Sequence, residues 1–387
     1  MIYLDHNATS PLRPQVLEAM VPFFTEGFGN PSSVHGSGRR ARQGLDEARR
    51  RVAALLEVHE SQIVFTSGGT ESNNMAIFGQ AARHKFRGHL VTSTVEHPAV
   101  LQVYERLQHY GMGVTLVGVD HNGCLHPEEV RAALQPDTVL LSLIHANNET
   151  GVIQPLAAIS EACRADHPNL VIHTDAVQSV GKIAVRFAEL GVDMLSLSAH
   201  KWGGPKGVGA LVMDKHLAID PWLLGGGQER GRRSGTENLP GIVGCGMVAE
   251  SLQQTLTAEM ERLQPMQRYL EQRLREGLPG SHILGQQAAA RLPNTTAWVM
   301  DGIQGETVVI NLDLGGFAVS SGSACGSGRS HPSHVPMAMG IPAELAASMV
   351  RISLGWNTTQ EEVERFVTAF VQVIKRLQQL SGSSGNG

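Results

Sequence analysis

Residues 196–207 read SLSAHKWGGPKG and join two apolar runs, 194–198 and 208–213, that have the length of buried strands. Lys201 therefore lies inside a mostly apolar segment flanked by glycines, which is not the usual setting of a solvated lysine. Burial lowers the pKa of a lysine and leaves a nucleophilic amine, which suits a Schiff base. Ser198 and His200 alternate along the same segment and could both face an anion. The alternative is a surface lysine in a turn before a strand.

Further apolar runs of strand length lie upstream, and segments long enough for a helix and a turn separate most of them. The runs cover residues 63–66, 90–94, 114–119, 139–144 and 170–173. Between residues 36 and 57 apolar side chains recur at alternating steps of four and three, which predicts an amphipathic helix. Strands that alternate with helices predict an α/β fold with a mostly parallel sheet covered on both faces.

The composition of the chain changes after about residue 250. Residues 251–278 are rich in Glu, Gln, Arg and Leu and predict a long helix, with Pro265 as a break or kink. Three short strand-like pieces follow, at 295–299, 308–312 and 317–320. A closing helix is predicted over 361–380. We therefore predict a large domain over 12–255 and a smaller α+β domain over 1–11 and 256–380. Residues 381–387 are expected to form a flexible tail.

Composition and charge argue against several classes of protein. The 387 residues carry a net charge of −5 with both signs interleaved, which gives no reason to expect binding to nucleic acid or to an anionic membrane. No apolar stretch approaches the roughly 20 residues that span a bilayer, and no signal peptide is recognisable. None of the four cysteines pairs at C-x-x-C spacing, so we expect neither a metal site nor a disulfide framework. These features predict a cytoplasmic protein.

Two motifs at the ends of predicted strands have the chemistry of a ligand site. Residues 66–73, TSGGTESN, place a Gly pair and a Thr at a helix start, where free N–H groups can bind an anion. The alternative is a Gly turn with a cap. Residues 171–178, VIHTDAVQ, end a strand on Asp175, which could pair with a protonated pyridine nitrogen. Alone, Asp175 is more readily explained as the cap of a following helix.

Two further motifs have unusual surroundings for their key residue. In residues 319–329, VSSGSACGSGR, Cys325 has only small and polar neighbours, which predicts an exposed, reactive thiol on a mobile loop. We expect Cys163 and Cys245 to pack on helices and Cys124 to lie in a turn. In residues 349–355, MVRISLG, a single Arg351 interrupts an apolar run. Its guanidinium suits a substrate carboxylate, and an internal salt bridge is the alternative.

Taken together and in this order, these motifs resemble those of the NifS/IscS-type cysteine desulfurases. This family belongs to class V of the pyridoxal-phosphate-dependent, aspartate-aminotransferase-like fold. The resemblance covers essentially the whole chain. It also includes YLDHNAT at 3–9, TVEH at 94–97, NNETG at 147–151, GGGQER at 225–230 and RSGT at 233–236.

The resemblance implies a role for each site residue. Lys201 would bind pyridoxal 5'-phosphate as an internal aldimine, with His97 stacked on the ring and active in acid/base steps. Asp175 would hold the ring nitrogen protonated, and Gln178 would contact the ring oxygen. The phosphate would be bound by Gly69, Thr70, Ser198, His200 and, from the other subunit of a homodimer, Thr236. Asn148 would contact cofactor and substrate, and Arg351 would bind the substrate carboxylate.

The implied reaction converts L-cysteine to L-alanine and leaves the sulfur on Cys325 as a persulfide, for transfer to an iron–sulfur scaffold or another acceptor protein. An aminotransferase on the same fold needs no thiol, so the setting of Cys325 argues against it. A non-catalytic scaffold would be free to lose Lys201 and Cys325, and both are present. The residues alone do not separate a cysteine desulfurase from a selenocysteine lyase.

Overall fold

The computed structural model describes residues 1–322 and 332–383. Within them the strands are β1 (Ile2–Tyr3), β2 (Ile63–Thr66), β3 (His89–Ser93), β4 (Gly113–Val117), β5 (Thr138–Ile144), β6 (Val171–Asp175), β7 (Met194–Ser198), β8 (Gly209–Met213), β9 (His282–Ile283), β10 (Thr295–Val299), β11 (Phe317–Ala318), β12 (Ser320–Ser321) and β13 (Val350–Ser353). The α-helices are α1 (Pro14–Met20), α2 (Pro22–Thr25), α3 (Gly36–Leu55), α4 (Gly69–Arg83), α5 (Pro98–His109), α6 (Pro127–Ala132), α7 (Leu156–Asp166), α8 (Leu239–Gly277), α9 (Gly305–Leu314), α10 (His334–Ala338), α11 (Ala343–Ala346) and α12 (Gln360–Ser383).

The large sheet has the strand order β2-β8-β7-β6-β5-β3-β4. From β7 to β4 all neighbours are parallel, whereas β8 runs antiparallel to both of its neighbours. The predicted α/β fold with a mostly parallel sheet is therefore confirmed, and its strands differ from the predicted runs by at most two residues at either end. Since β6 and β7 are parallel neighbours, Asp175 and Ser198 end their strands at the same edge of the sheet.

Both faces of this sheet are buried. On β2, Ile63 and Phe65 belong to one apolar core, which includes residues of α3, α7 and α8. Val64, between them, belongs to a second core formed with α4 and α5. Because successive side chains on a strand point to opposite faces, this division means that helices cover the sheet on both sides, as predicted.

A second, smaller sheet is antiparallel throughout and has the order β12-β13-β10-β9. β1 pairs in parallel with β11, so the N-terminus joins this C-terminal region, and Leu4 lies in the same apolar core as Trp298 and Phe366. α8 spans the predicted boundary at 255 without interruption. Its Leu252 packs in the core of the large sheet and its Leu263 in the core of the small one. The boundaries at residues 12 and 255 stay a prediction.

One prediction about the C-terminal region was wrong. Residues 308–312 form part of α9 and not a strand. Val308 and Leu312, four residues apart, are buried while Ile310 is 54% exposed, which is the spacing of a helix face. α8 continues through Pro265 without a break, because buried Leu263 and Met266 hold the helix against the core of the small sheet on both sides of it. A kink at Pro265 stays a prediction.

The same helix begins at Leu239, twelve residues before the predicted start. Residues 239–250 are apolar and rich in glycine, and they are buried against α3 and α1. A side chain on Gly246 would lie 2.5 Å from the Cα of Ala48, so the glycine permits the close contact with α3. The change of composition near residue 250 thus marks a change in burial within one helix.

None of the helices in residues 1–322 and 332–383 is long and apolar enough to cross a membrane.

A buried ion pair attaches the segment that follows β8 to the large sheet. Arg49 of α3 donates to Glu229 at 2.7 Å, and Glu229 also accepts from the main-chain N–H of Phe65 at 2.9 Å. Both side chains of the pair are almost fully buried. Glu229 and Arg230 adopt φ values of 47° and 60°, a left-handed conformation that costs about 1 kcal/mol or more in non-glycine residues. The ion pair therefore offsets local strain.

We predict that Arg49→Met lowers the free energy of unfolding by about 3–5 kcal/mol, because it leaves the Glu229 carboxylate buried without its partner. Urea denaturation of the apoprotein measures this. The control is Arg50→Met, since Arg50 lies next along α3, is 56% exposed and pairs only at the surface. Equal effects of the two substitutions would show that the ion pair does not stabilise the segment.

Candidate active site

A cavity of about 880 Å³ opens where the parallel strands end. It lies between residues of the large sheet and residues of β12 and β13. Ten of the twelve predicted site residues line it: Gly69, Thr70, His97, Asn148, Asp175, Gln178, Ser198, His200, Lys201 and Arg351. The two residues outside this set are Thr236 and Cys325. The structure thus brings together side chains that are far apart in the sequence.

Lys201 lies in a single 3₁₀ turn, Ala199–Lys201, directly after β7. Its Nζ donates to the main-chain oxygens of Asn7 at 2.7 Å and Ala8 at 2.9 Å. The main-chain N–H of Ser10 in turn donates to the His200 carbonyl at 2.8 Å. The N-terminal segment 5–10 therefore lies against this turn, and Lys201 faces a cavity, unlike a surface lysine in a turn.

The start of α4 lies at one end of the cavity and has the geometry to bind an anion. The first N–H groups of any α-helix lack a partner within the helix, and here they belong to residues beside Ser198 and His200. A Cβ on Gly69 would lie 2.5 Å from a methyl carbon of Val177, so only glycine allows the backbone to approach this closely. Burial and the nearby Lys201 and Lys206 lower the pKa of His200 to about 4, which makes it a neutral ligand at pH 7.

Asp175 is a buried carboxylate with both oxygens fixed. Oδ1 accepts from the N–H of Val177 at 3.0 Å, and Oδ2 accepts from the Asn73 amide at 2.7 Å. A turn and not a helix follows Asp175, so the helix-cap alternative is not what the structure shows. An oriented carboxylate at this position suits a protonated ring nitrogen.

His97 caps α5, and its Nδ1 accepts from the N–H of Ala99 at 3.1 Å. Burial lowers the pKa of His97, while the charge of Asp175 opposes that shift. With Nδ1 used as an acceptor, the proton of the neutral ring is on Nε2. In this tautomer the Nε2–H of His97 is a hydrogen-bond donor.

Arg351 lines the cavity and also forms the internal salt bridge that was the alternative. Its Nη2 lies 2.9 Å from Oδ1 of Asp5, and its Nη1 donates to the Asn148 carbonyl at 3.1 Å. Its Nε is buried and has no hydrogen-bond partner among the described residues. A guanidinium with an unused donor can still bind a carboxylate.

Of the two remaining predicted residues, the structure describes only Thr236. Thr236 is exposed in a segment that the Arg233–Glu71 ion pair (2.8 Å) links to the start of α4. Cys325 falls in 323–331, outside the described residues, but Gly322 and Pro332 on either side of that segment line the cavity. Cys163 and Cys245 are buried in α7 and α8, as predicted. The described residues contain no group of three or more His, Cys, Asp or Glu side chains placed to hold a metal ion.

Sequence reasoning gave no role to several residues that form the site. The main-chain oxygen of Asn7 accepts a hydrogen bond from Lys201, and Asn7 lies in the motif YLDHNAT. Lys182 is a single lysine in the apolar run SVGKIAV, and the same kind of pattern drew attention to Lys201. Glu149 lies in NNETG and is buried in the cavity wall. Its Oε1 accepts from Ser333 at 2.8 Å, and its Oε2 has no partner among the described residues. Burial raises the pKa of Glu149 to about 7.

We predict that Glu149→Gln stabilises the apoprotein relative to wild type increasingly between pH 5 and pH 8. A carboxyl whose pKa rises from 4.5 to about 7 on folding binds more protons in the folded state, so its contribution to stability is lost as the pH rises through that window. The change should be about 2 kcal/mol, measured by urea denaturation at each pH. The exposed Glu105→Gln serves as control. A difference that is the same at both pH values would contradict the shifted pKa.

Comparison with known proteins places the chain in a family. The aminotransferase class-V family model matches residues 2–366. The chain is 43% identical over 381 residues to a cysteine desulfurase IscS of Dictyoglomus turgidum, covering 98% of this chain and 96% of that protein. It is 44% identical over 382 residues to a cysteine desulfurase of Cereibacter sphaeroides, covering 98% and 97%. A solved NifS-like protein matches with a TM-score of 0.91 at 37% identity, covering 97% of this chain and 99% of that one. The chain therefore belongs to the class V aminotransferase family of pyridoxal-phosphate-dependent enzymes.

Proposed function

We propose that the chain is a cysteine desulfurase in which Lys201 holds pyridoxal 5'-phosphate and Cys325 accepts the sulfur of L-cysteine. The observation that carries the proposal is the single cavity lined by ten predicted site residues together with Gly322 and Pro332, which flank the segment that contains Cys325. The names of the relatives support the same activity.

The cavity fits the cofactor at three points. The start of α4, with Gly69 drawn close to Val177, offers N–H groups to a phosphate. The fixed carboxylate of Asp175 suits a ring N–H, and the Nζ of Lys201 suits the aldehyde. When bound, pyridoxal phosphate supplies an electron sink for bonds at the substrate's α-carbon.

The protein's own groups would handle the protons. Lys201 Nζ, held by two carbonyl oxygens, is placed to move the α-proton of the substrate. His97 is neutral with its proton on Nε2, so it would donate a hydrogen bond from that nitrogen. To release this proton as an acid, the ring would first have to be protonated at Nδ1, which ends its cap to α5. Both side chains line the same cavity, which lets them act on one substrate.

Substrate recognition would depend on Arg351 and Asn148. Arg351 lines the cavity, and a substrate carboxylate would bind at its Nη groups, partly in place of Asp5, because Nε is fully buried. The Asn148 carbonyl fixes Nη1, so the guanidinium presents one defined edge. This arrangement suits a small α-amino acid such as L-cysteine.

Transfer of the sulfur requires only the substrate and the Cys325 thiol. The Cys325 thiolate attacks the substrate sulfur, an S–S bond forms as the C–S bond breaks, and the electron pair stays on carbon. Protonation of that carbon gives L-alanine, and the enzyme keeps the sulfur as a persulfide. A sulfur-acceptor protein, which we propose to be an iron–sulfur scaffold or another cytoplasmic acceptor, would then take the sulfur.

A homodimer would complete the phosphate site. Thr236 is exposed and does not line the cavity of its own chain. Its segment is nevertheless held firmly, by Arg233–Glu71 and Arg49–Glu229. Large apolar side chains near the N-terminus, among them Phe24 and Phe28, are more than 60% exposed, which favours contact with a second copy.

We predict that Cys325→Ser binds pyridoxal phosphate and cysteine with wild-type affinity but releases alanine at least about a hundredfold more slowly, because a hydroxyl is a poor nucleophile towards sulfur. Alanine and sulfide release measure this, with Cys163→Ser as control. Desulfuration at the wild-type rate would exclude Cys325 as acceptor. A wild type that ignores cysteine and consumes selenocysteine would identify a selenocysteine lyase instead.

We predict that mixing Thr236→Ala chains with Lys201→Ala chains restores sites with wild-type cofactor affinity. If Thr236 serves the partner's site, each mixed dimer has one intact site and one doubly defective site, so about a quarter of all sites recover at random pairing. Cofactor titration of the mixture, beside each variant alone, measures the recovery. Absence of any intact site in verified mixed dimers would place Thr236 in its own chain's site.

A further inference from the structure

Lys182 is a buried amine that the proposed reaction does not use. It lies in the turn after β6, is only 9% exposed, and follows Gln178 by four residues. Its Nζ donates to Oδ1 of Asn7 at 2.6 Å and to Oε1 of Gln178. A buried lysine is costly unless its donors are used, and here two amide oxygens use them.

A lysine amine donates hydrogen bonds to its neighbours, whereas an amide offers an oxygen on one side and an NH₂ group on the other. Lys182 therefore requires both amides to turn their oxygens towards it. The NH₂ group of Gln178 must then point away from Lys182. Its nitrogen, Nε2, donates to the main-chain carbonyl of Asn7 at 2.9 Å, and both residues line the cavity. Lys182 thus determines which side of the Gln178 amide faces the cofactor.

The same constraint acts on Asn7. With Oδ1 directed at Lys182, the Nδ2 of Asn7 donates to the carbonyl of Asn148 at 3.1 Å and to Oγ1 of Thr295 at 2.9 Å. The main-chain oxygen of Asn7 accepts from Lys201 at 2.7 Å. Lys182 therefore connects, through one asparagine, to the cofactor lysine and to the carbonyl that holds Arg351.

The pKa of Lys182 reflects its burial beside other cationic side chains. Burial lowers the pKa of Lys182 well below its usual value, and the charges of Lys201 and Arg351 lower it further, while Asp5 opposes them. Lys201 and Arg351 therefore oppose a positive charge on Lys182. The hydrogen bonds to Asn7 and Gln178 need only two N–H groups, which even a neutral amine keeps.

We propose that Lys182 is a positioning residue, which fixes the Gln178 amide with its NH₂ group towards the ring oxygen of the cofactor and holds Asn7 against Lys201. The proposal rests on the proposed function only in taking the cavity as the cofactor site. It assigns Lys182 no contact with the substrate.

A double-mutant cycle on cofactor binding tests it. Apoproteins carrying Lys182→Met, Gln178→Leu or both are titrated with pyridoxal phosphate, and the dissociation constant is read from the visible absorption. Each single variant should weaken binding about tenfold, and the double variant should be no weaker than the weaker single, because the two residues act through one hydrogen bond. Lys182→Gln, which keeps a donor, should recover binding to within about threefold of wild type.

The controls separate the possible failures. Lys215→Met, at an exposed lysine, should bind the cofactor as wild type does. Lys182→Met with wild-type affinity, or effects of the two single variants that multiply in the double variant, would overturn the proposal. If Gln178→Leu alone leaves affinity unchanged, the assignment of Gln178 to the cofactor fails as well, which distinguishes that result from a failure of Lys182 alone.

A second variant covers the case in which Lys182→Met does not fold. Gln178→Glu keeps an oxygen for Lys182 but replaces the NH₂ group by another oxygen. We expect its affinity for pyridoxal phosphate to fall at least as much as in Gln178→Leu. The Gln178→Leu apoprotein is the control for folding, since it loses the same bond to the Asn7 carbonyl. Retained affinity would show that the NH₂ group does not face the cofactor and would overturn the proposal.

Discussion

The site depends on the hydrogen bonds from the Lys201 amine to the main-chain oxygens of Asn7 and Ala8. Lys201 follows a strand of the large sheet, whereas residues 5–10 continue from β1, which pairs with the small-domain strand β11. The two regions therefore meet at this amine. The main-chain bridge from Asp5 to Ser353 adds a connection to the small sheet. Arg351, two residues before Ser353, adds another by its bond to the Asn148 carbonyl.

Burial gives the site its charge pattern. Burial lowers the pKa of Lys182 well below its usual value, and the charges of Lys201 and Arg351 lower it further. Burial also raises the pKa of Glu96 to about 8 and that of Glu149 to about 7, so both glutamates are largely or partly protonated near neutral pH. Burial therefore reduces the number of charges of both signs around the cavity.

Much of the large domain could be predicted because each parallel strand is buried on both faces and appears as a short apolar run. The ends of such strands gather at one edge, so the motifs at Asp175 and Lys201 could be placed together before any contact was known. Residues 308–312 were misassigned because a five-residue run with four apolar side chains fits a buried strand as well as a helix. Lys182 and its partner Asn7 are 175 residues apart, and Arg351 and Asp5 are 346 apart. No local pattern encodes such pairs, so they required the folded chain.

Every step proposed here requires that Lys201 is the amine that holds the cofactor. The most direct measurement is to load the protein with pyridoxal phosphate, reduce it with borohydride, digest it and locate the pyridoxyl group by mass spectrometry. We predict the label on the peptide that contains Lys201, with none on Lys182 or Lys206. A label on either of those lysines instead, or a loaded protein in which Lys201 stays unmodified, would contradict this role of Lys201.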